Sequence, residues 1–423
     1  MIENPSNWAG NYTYRAAQFH QPQTVEQIQE LVVHSNKLKA LGTRHSFNDI
    51  ADSAGDLISV EHLNQIVGLD RERSAVTVEA GVRYGQLARW LHREGYALHN
   101  LASLPHISVA GACATATHGS GDRHGNLATA VSALELVTAN GELIPLSREK
   151  NGEQFRGAVV GLGGLGVITK LTLDISPTFE MRQDVYENLP LAELEDHLDE
   201  LFSSTYSVSL FTDWRNSSFN QLWLKRDISD NAPIKLDPEL FGATLARSHL
   251  HPIATLSAEN CTEQMGISGP WHERLPHFRM NFTPSSGEEL QSEYLVPRQH
   301  AVKALRVIDQ LRKYIAPLLQ ISEIRSIAAD DLWMSPCYKQ ASIAIHFTWK
   351  KDWEAVQTVL PLIEEKLAPL SARPHWAKLF TMSPTHLQSL YEKLPDFRQL
   401  LQDYDPHGKF RNAFLNQYIF ENS

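Results

Sequence analysis

The sequence predicts an α+β protein of two domains. Helical and strand-like stretches alternate through the first third of the chain, which is typical of α+β packing. Beyond about residue 175 the periodic patterns weaken for a dozen residues. A chain of 423 residues is long enough for two domains with substantial cores. We therefore expect one domain in residues 1–175 and a second in the residues that follow.

Hydrophobic spacing defines the elements of the first third. Residues 24–37 are predicted to form a helix, because Thr24 and Gln27 make a capping box and apolar residues follow at helical spacing. Strands are predicted at 39–41, 57–60 and 75–80, and a second helix within 81–91. Asn140-Gly141 between apolar runs predicts a hairpin with a two-residue turn.

Composition excludes several classes of function. The formal net charge of −11 argues against bulk nucleic-acid binding. No apolar run reaches the length of about 18 residues that a membrane span needs, and the N-terminus lacks the features of a signal peptide. Cys113, Cys261 and Cys337 lie far apart and form no metal motif, which fits a reducing compartment. We expect a cytoplasmic monomer that binds no metal ion, nucleic acid or membrane.

The stretch 41–47 concentrates unusual chemistry, reading Leu41-Gly42-Thr43-Arg44-His45-Ser46-Phe47. Glycine lets backbone N–H groups approach an anion closely, and arginine and hydroxyl side chains add donors to phosphate oxygens. His45 is the odd member, because a phosphate cradle does not need an imidazole. Taken alone, the stretch is better explained as a loop with a chance histidine.

A second stretch, 102–121, is rich in small residues and hydroxyls from Val109 onward. A tightly packed core segment would account for it, but so many small residues together usually mean that something large lies against the backbone. His106 and His118 in this stretch could each be core histidines, since no carboxylate or thiolate stands at the spacing of a zinc ligand.

Residues 42–47 resemble the pyrophosphate loop of the vanillyl-alcohol-oxidase superfamily of FAD enzymes, and 102–121 resembles its second FAD-binding segment. Within that superfamily the chain is most similar to the sugar-alcohol (alditol, xylitol) oxidases. The resemblance implies a two-domain FAD-binding fold with an antiparallel-sheet substrate cap. Residues 1–175 would bind FAD, 176–380 would form the cap, and 381–423 would return to the FAD domain.

The resemblance also implies the cofactor contacts. His45 would hold FAD through a covalent bond to the flavin 8α-methyl group, and an electron-withdrawing substituent there suits an alcohol oxidase by raising the flavin potential. The FAD contacts that it implies are Ala40, Leu41, Gly42, Thr43, Arg44, His45, Ser46, Ser103, Ser108, Gly111, Ala112, Cys113, Ala114, His118 and Ile168.

The glycine run 161–166 matches GxGxxG, but its context is reversed. A dinucleotide fingerprint follows a strand and opens a helix. Here residues 151–160 are predicted to be helical and 167–173 to form a strand. We therefore reject an NAD site, and the resemblance implies instead that this run lies near the adenosine part of FAD.

Two stretches of the second domain carry polar residues at strand spacing. Glu323 and Arg325 are two residues apart in 321–327, and His346 and Thr348 share the polar face of 342–349. A third candidate strand, 374–380, supplies Lys378. From composition alone a solvated sheet face with salt bridges accounts for them. The resemblance places all five side chains, with Ser103, on substrate-site positions of the alditol oxidases.

The remaining elements of the second domain are less clearly marked. Pro190 suits the first position of a helix. Helices are predicted at 191–202 and 302–316, strands at 207–211 and 221–224, and long loops at 226–300.

The resemblance implies that the protein oxidises the primary alcohol of a polyol and reduces dioxygen to hydrogen peroxide. His346, supported by Arg325, would take the hydroxyl proton, and we expect an unperturbed imidazole there; Arg325 and Lys378 stay open as alternative acceptors. Lys378 would hold the reacting oxygen, and Glu323, Thr348 and Ser103 would bind other hydroxyls. The alternatives are an aldonolactone oxidoreductase of the same superfamily and a catalytically silent carbohydrate-binding protein.

Overall fold

The computed structural model describes residues 5–228, 236–280 and 288–420. Helices and largely antiparallel sheets make up this part of the chain, so the predicted α+β class is confirmed. None of the helices within these residues is both long enough and apolar enough to cross a bilayer.

Three small sheets and four α-helices form the described chain up to residue 177. Three strands make a parallel sheet in the order Gln18–His20, Asp56–Ser59 and Leu38–Leu41. Five strands make an antiparallel sheet in the order Ile66–Asp70, Ala75–Glu79, Val167–Asp174, Val131–Val137 and Leu143–Ser147. A short pair joins Tyr96–Ala97 to Ser176–Pro177. The helices are Val25–His34, Tyr84–Arg93, Val109–Ala114 and Arg148–Val159.

The helices and strands predicted for this part are present, with changes at one cap and one turn. Thr24 caps the first helix by accepting the backbone N–H of Gln27, but the side chain of Gln27 accepts from the N–H of Gln23, so the predicted capping box is only half formed. The hairpin is present, but its loop has three residues, because the N–H of Thr138 bonds to the carbonyl of Glu142. Gly141 has φ 85°, and a left-handed residue of this kind ends a three-residue hairpin loop. The predicted two-residue turn is therefore wrong.

A ten-stranded sheet dominates the second half of the described chain. Its path is Glu239–Leu240, Ala243–Leu245, Glu180–Pro190, Ser218–Asp227, Ser207–Thr212, Leu319–Ile327, Ser342–Lys350, Glu289–Pro297 and Arg373–Pro374, with Gly269–Pro270 beside the third strand. The helices of this half are Leu194–Ser203, Ala301–Gln310, Arg312–Ile315 and Trp353–Leu367. The apolar face of Ser342–Lys350 is buried in the main hydrophobic core, which leaves its polar face for a cavity on the other side.

Three predictions for this half are corrected. Strands Glu180–Pro190 and Glu289–Pro297 were not expected, since weak periodicity and long loops were predicted there. Pro190 ends a strand and precedes the 3-10 turn Leu191–Glu193, so it does not lie inside a helix. The third candidate strand, 374–380, is not formed as predicted: the strand found is Arg373–Pro374. Lys378 lies in a turn, where its N–H donates to the carbonyl of His375.

The C-terminal segment packs against the first domain. It contains the helices Pro384–Ser389, Leu394–Tyr404 and Ala413–Leu415 and the π-helical turn Asn416–Phe420. The N–H of Leu38 donates to the carbonyl of Lys409, and Asn412 Nδ2 lies 2.9–3.1 Å from the carbonyls of Asp49, Ile50 and Asp52. The tail therefore holds the strand that leads into the loop 42–47.

Candidate functional site

One large cavity brings the three chemical stretches of the sequence together. Its volume is about 530 Å³, and it lies between the loop 42–47, the small-residue stretch after Ala102 and the polar face of the ten-stranded sheet. The cavity thus has one wall from each half of the chain.

The loop that carries His45 is held by the opening residues. Asn7 Nδ2 donates to the carbonyl of Ser46 at 2.9 Å, and the N–H of Trp8 donates to the carbonyl of Arg44 at 2.7 Å. Asn11 Nδ2 donates to the carbonyl of Phe47 at 2.8 Å. The Asn and Trp of this opening therefore act together to fix the loop.

His45 faces the cavity with unused hydrogen-bonding capacity. Its ring stacks on Trp8 with centroids 5.2 Å apart, and neither ring nitrogen has a hydrogen-bond partner within the described residues. Burial lowers the pKa of His45 to about 4, so the imidazole is neutral near pH 7. A neutral imidazole keeps a nucleophilic lone pair, which is the chemistry that a covalent flavin anchor requires.

The second stretch packs directly against this loop. The N–H of Ser108 donates to Thr43 Oγ1 at 3.1 Å, and a side chain at Gly42 would place its Cβ only 2.4 Å from Ser108 Oγ. Ser108 Oγ is buried and has no hydrogen-bond partner within the described residues. The unpaired hydroxyl, the unpaired imidazole and the close backbone approach fit a cofactor with phosphate and ring atoms, and hence FAD.

The structure places most of the expected FAD contacts on the cavity wall. Cys113 is fully buried with its Sγ 3.4 Å from Tyr84 Oη, and Ile168 lies on a strand opposite Leu136, so neither reaches the cavity. The turn before that strand does reach it, through Leu162 and Gly163. The expected residues that line the cavity are Ala40, Leu41, Gly42, Thr43, Arg44, His45, Ser46, Ser103, Ser108, Gly111, Ala112, Ala114 and His118.

Three adjacent antiparallel strands form the polar wall. His346 lies opposite Glu323 on one neighbouring strand and opposite Glu293 on the other. Residues that face each other across a sheet have Cβ atoms about 5 Å apart, so this register places both carboxylates beside one imidazole. Arg325 and Thr348 lie two residues along on the same face and also line the cavity.

Glu293 is the centre of the charged contacts on this wall. Its Oε1 accepts from Arg325 at 2.7 Å, and its Oε2 accepts from Lys378 at 2.6 Å. Arg325 also donates to Ser103 Oγ at 3.3 Å, and its Nε lies 3.6 Å from Glu323 Oε1. The polar wall is therefore a network of two carboxylates and two cations, and its members are largely removed from water.

These contacts keep both carboxylates ionised. Burial by itself raises the pKa of Glu293, but Lys378, His118 and Arg325 hold it well below its ordinary value. Burial raises the pKa of Glu323 in the same way, and Arg325 and His277 more than reverse the effect. The wall thus offers carboxylate oxygens as acceptors for hydroxyl groups.

His346 differs from the unperturbed imidazole that we expected. Burial, and then the neighbouring Lys378, lower its pKa well below the ordinary value. Lys378 Nζ lies 2.8 Å from Nδ1, and Thr348 Oγ1 lies 3.0 Å from Nε2. A lysine ammonium can only donate, so Nδ1 is the acceptor and the ring hydrogen sits on Nε2. Lys378 and Thr348 are hydrogen-bonded directly to His346, whereas Arg325 is linked to it through Glu293 and Lys378.

Sequence reasoning missed several residues on the cavity wall. Glu293 and Gln291 were assigned to a loop, and His277 was not singled out. Glu293 and Gln291 lie on the strand Glu289–Pro297, where Glu289, Gln291 and Glu293 are polar at every second position, but the polar Ser292 between them weakens this period-two signal. His277 lies in a turn, and we find no pattern in the sequence that marks it.

We predict that Glu293→Gln will destabilise the fold by about 3 kcal/mol, because two buried cations lose their shared counter-charge. Glu364→Gln is the matched control: Glu364 is also buried, but it accepts from the neutral groups of Tyr294 and Thr381. We expect it to cost only about 1 kcal/mol. Urea unfolding measures both.

The Glu293→Gln loss should depend on pH in one direction. The pKa of Glu293 is depressed in the folded state, so its stabilisation is present above the unfolded pKa of about 4.3 and is lost as the pH falls. The stability difference between wild type and Glu293→Gln should therefore narrow below about pH 4. Two results would contradict the network of charged contacts: an equal loss of unfolding free energy in Glu293→Gln and Glu364→Gln, or a stability difference between wild type and Glu293→Gln that grows as the pH falls.

Comparison with known proteins places this site in a family. Residues 16–147 match the FAD binding domain family, and residues 275–418 match the D-arabinono-1,4-lactone oxidase family. Over its whole length the chain resembles the alditol oxidase of a Streptomyces species, with 48% identity and 98% of each chain covered. It resembles the L-gulonolactone oxidase of Bos taurus at 28% identity, with 98% of each covered.

The fold is also found among solved structures. A cholesterol oxidase from B. sterolicum superposes with a TM-score of 0.79 at 15% identity, covering 99% of this chain and 96% of the other. That likeness supports the two-domain FAD-binding fold alone. The match to the Streptomyces enzyme covers 98% of this chain. The chain therefore belongs to the alditol oxidase family of FAD-dependent enzymes.

Proposed function

We propose that the protein oxidises the terminal primary alcohol of alditols such as xylitol and sorbitol to the aldose, and reduces dioxygen to hydrogen peroxide. The observation that carries this proposal is the polar wall opposite the loop of His45, where Glu323, His346, Thr348 and Lys378 share one cavity. A neutral polyol needs several acceptors and donors at once, and this wall offers both.

FAD supplies the redox chemistry, because when bound it takes the hydride from the alcohol carbon and passes the electrons to dioxygen. We propose that the unpaired His45 carries it through a covalent bond. The side chains and backbone that would hold it are those of the loop 42–47 together with Ser103, Ser108 and the stretch 111–114. Leu162 and Gly163 line the cavity and Ile168 does not, so they are better candidates for the contact near the adenosine part of FAD.

His346 is the proposed acceptor of the alcohol proton. Its Nε2 carries hydrogen and is held by Thr348, so the only atom that can take a proton is Nδ1. The substrate hydroxyl must therefore take the place of the Lys378 donor at Nδ1. Lys378 then donates to the alcohol oxygen while staying paired with Glu293. His346 and Lys378 thus each exchange their mutual hydrogen bond for one to the substrate hydroxyl, and both stay on the polar wall.

The other wall residues bind the remaining hydroxyls. Glu323 accepts from a hydroxyl, and Ser103 and Thr348 can donate or accept. Arg325 contacts Ser103 and both carboxylates, so it orders the wall as well as offering a donor. The polar side chains of the wall outnumber the hydroxyls of a simple alcohol, which favours a polyol.

Three further properties belong to the same proposal. The protein acts as a monomer in the cytoplasm, which fits its three buried free cysteines. It needs neither nucleic acid nor a membrane as a partner. The functional division is 1–175 for FAD, 176–380 for the substrate and 381–423 as the returning segment, supported by the contacts of Asn412 with residues 49–52.

The alternative is oxidation of an aldonolactone, which the match of residues 275–418 to the D-arabinono-1,4-lactone oxidase family favours. The two functions differ in one measurement. Without oxygen, xylitol should bleach the bound flavin within seconds, and L-gulono-1,4-lactone should do so at least about 100-fold more slowly. Faster bleaching by the lactone would assign the protein to the alternative, and no bleaching by either would indicate a silent binding protein.

We predict that His346→Ala will slow anaerobic flavin reduction by xylitol at least about 100-fold, with a much smaller change in the xylitol Kd. Stopped-flow reduction at several xylitol concentrations separates the two quantities. Glu323→Gln is the control with the opposite expectation, because it should raise the xylitol Kd more than it lowers the rate of flavin reduction. If His346→Ala weakens binding as much as it slows reduction, the base assignment fails.

We predict that acid precipitation of the wild-type protein will give a yellow pellet, whereas His45→Ala will release its flavin to the supernatant. His106→Ala is the matched control: it removes a neighbouring histidine whose Nε2 bonds to the carbonyl of Met280, and its pellet should stay yellow. A yellow His45→Ala pellet would exclude His45 as the covalent anchor and would leave the other proposals standing.

A further inference from the structure

A buried lysine lies behind the substrate wall. Lys225 is on the strand Ser218–Asp227, and only 1% of its surface is exposed. Its Nζ donates to the carbonyls of Leu275 and Pro276 at 2.6 and 3.1 Å and lies 3.2 Å from Nδ1 of His277. Three acceptors match the three N–H groups of an ammonium, so the side chain is fully engaged.

The contact with Lys225 fixes the hydrogen of the next residue. Because Nδ1 of His277 accepts from the ammonium, its ring hydrogen sits on Nε2, which donates to Glu323 Oε1 at 2.7 Å. Phe211 and Trp223 hold the ring by edge contacts at 5.4 and 5.3 Å between centroids. Lys225, His277 and Glu323 therefore form a row that ends at a carboxylate on the cavity wall.

We propose that Lys225 is a positioning residue for polyol recognition, which acts through His277 to orient the carboxylate of Glu323 toward a substrate hydroxyl. This inference rests on the proposed function, in which Glu323 accepts a hydroxyl. Lys225 itself does not touch the cavity. Because His277 holds Oε1 and the carboxylate of Glu323 lines the cavity, the proposal leaves the other oxygen, Oε2, to accept from the substrate.

A purely structural lysine is the competing explanation. Burying a cation costs free energy, and an apolar side chain of similar length would fill the same space without that cost. Burial lowers the pKa of Lys225 to about 7, with Glu323 acting in the opposite direction. A neutral donor would satisfy the two carbonyls alone. A lysine offers a third N–H, and this N–H donates to Nδ1 of His277.

The test is a double-mutant cycle of Lys225→Met and Glu323→Gln with xylitol. In the wild-type background, Lys225→Met should raise the KM about tenfold and lower kcat less than about threefold, since one oriented acceptor is lost. In the Glu323→Gln background it should raise the KM less than about twofold, because the carboxylate that it orients is gone. The same rise in both backgrounds, or no rise in either, would overturn the proposal.

If the Lys225→Met protein does not fold, two substitutions of His277 test the same row of hydrogen bonds. Glutamine at 277 can accept from Lys225 and donate to Glu323, whereas leucine can do neither. His277→Gln should keep the KM within about threefold of wild type and His277→Leu should raise it about tenfold. Equal KM values would overturn the proposal.

Arg373→Met is a control for structural damage. Arg373 is another buried cation that donates to three backbone carbonyls, those of Leu390, Pro336 and Tyr338. It should lower the Tm without changing the xylitol KM, and a KM rise equal to that of Lys225→Met would count against the proposal. Anaerobic bleaching of the wild-type flavin by xylitol is measured first. No bleaching would reject the proposed function, whereas bleaching with unchanged KM values in the variants would reject only the role of Lys225.

Discussion

The cavity depends on one buried carboxylate. Glu293 bonds to both Arg325 and Lys378, and without it two cations would face each other in a wall almost removed from water. A charge in such a place is tolerated only when it is paired and hydrogen-bonded. Burial lowers the pKa of His346, and the same carboxylate holds Lys378, the neighbouring cation that lowers it further. Stability and chemistry therefore rest on a single anion.

The sheet supplies the precision that this pairing needs. Side chains of a strand alternate between its faces, so every second residue of three neighbouring strands enters the cavity. A slip of one residue in Ser342–Lys350 would replace His346 and Thr348 by Ile345 and Phe347, which now lie in the core. The hydrophobic core on the opposite face fixes the register, and the register fixes the distances among the charged groups.

The parts of the site that could be predicted from the sequence are those whose functional residues lie close together along the chain. The loop 42–47 and the alternation in 342–349 are contiguous, so their structural placement could be anticipated. Glu293 was missed because Ser292 interrupts the alternation of its strand and because residues 226–300 are rich in Pro, His and polar residues, which predicted a loop. The depressed pKa of His346 arises from burial and from Lys378, which lies 32 residues along the chain, so no local pattern contains it.

The charge balance of the wall explains why a neutral polyol suits it. Glu293 and Glu323 are matched by Arg325 and Lys378, while His346 is uncharged, so these groups leave no surplus charge for an ionic substrate. A carboxylate ligand would have to compete with Glu293 for its cations and bring an unpaired anion into a dry site. A hydroxyl can instead insert between existing partners, donating to one and accepting from another. Discrimination between neutral and charged substrates thus follows from charges that are already paired before the substrate arrives.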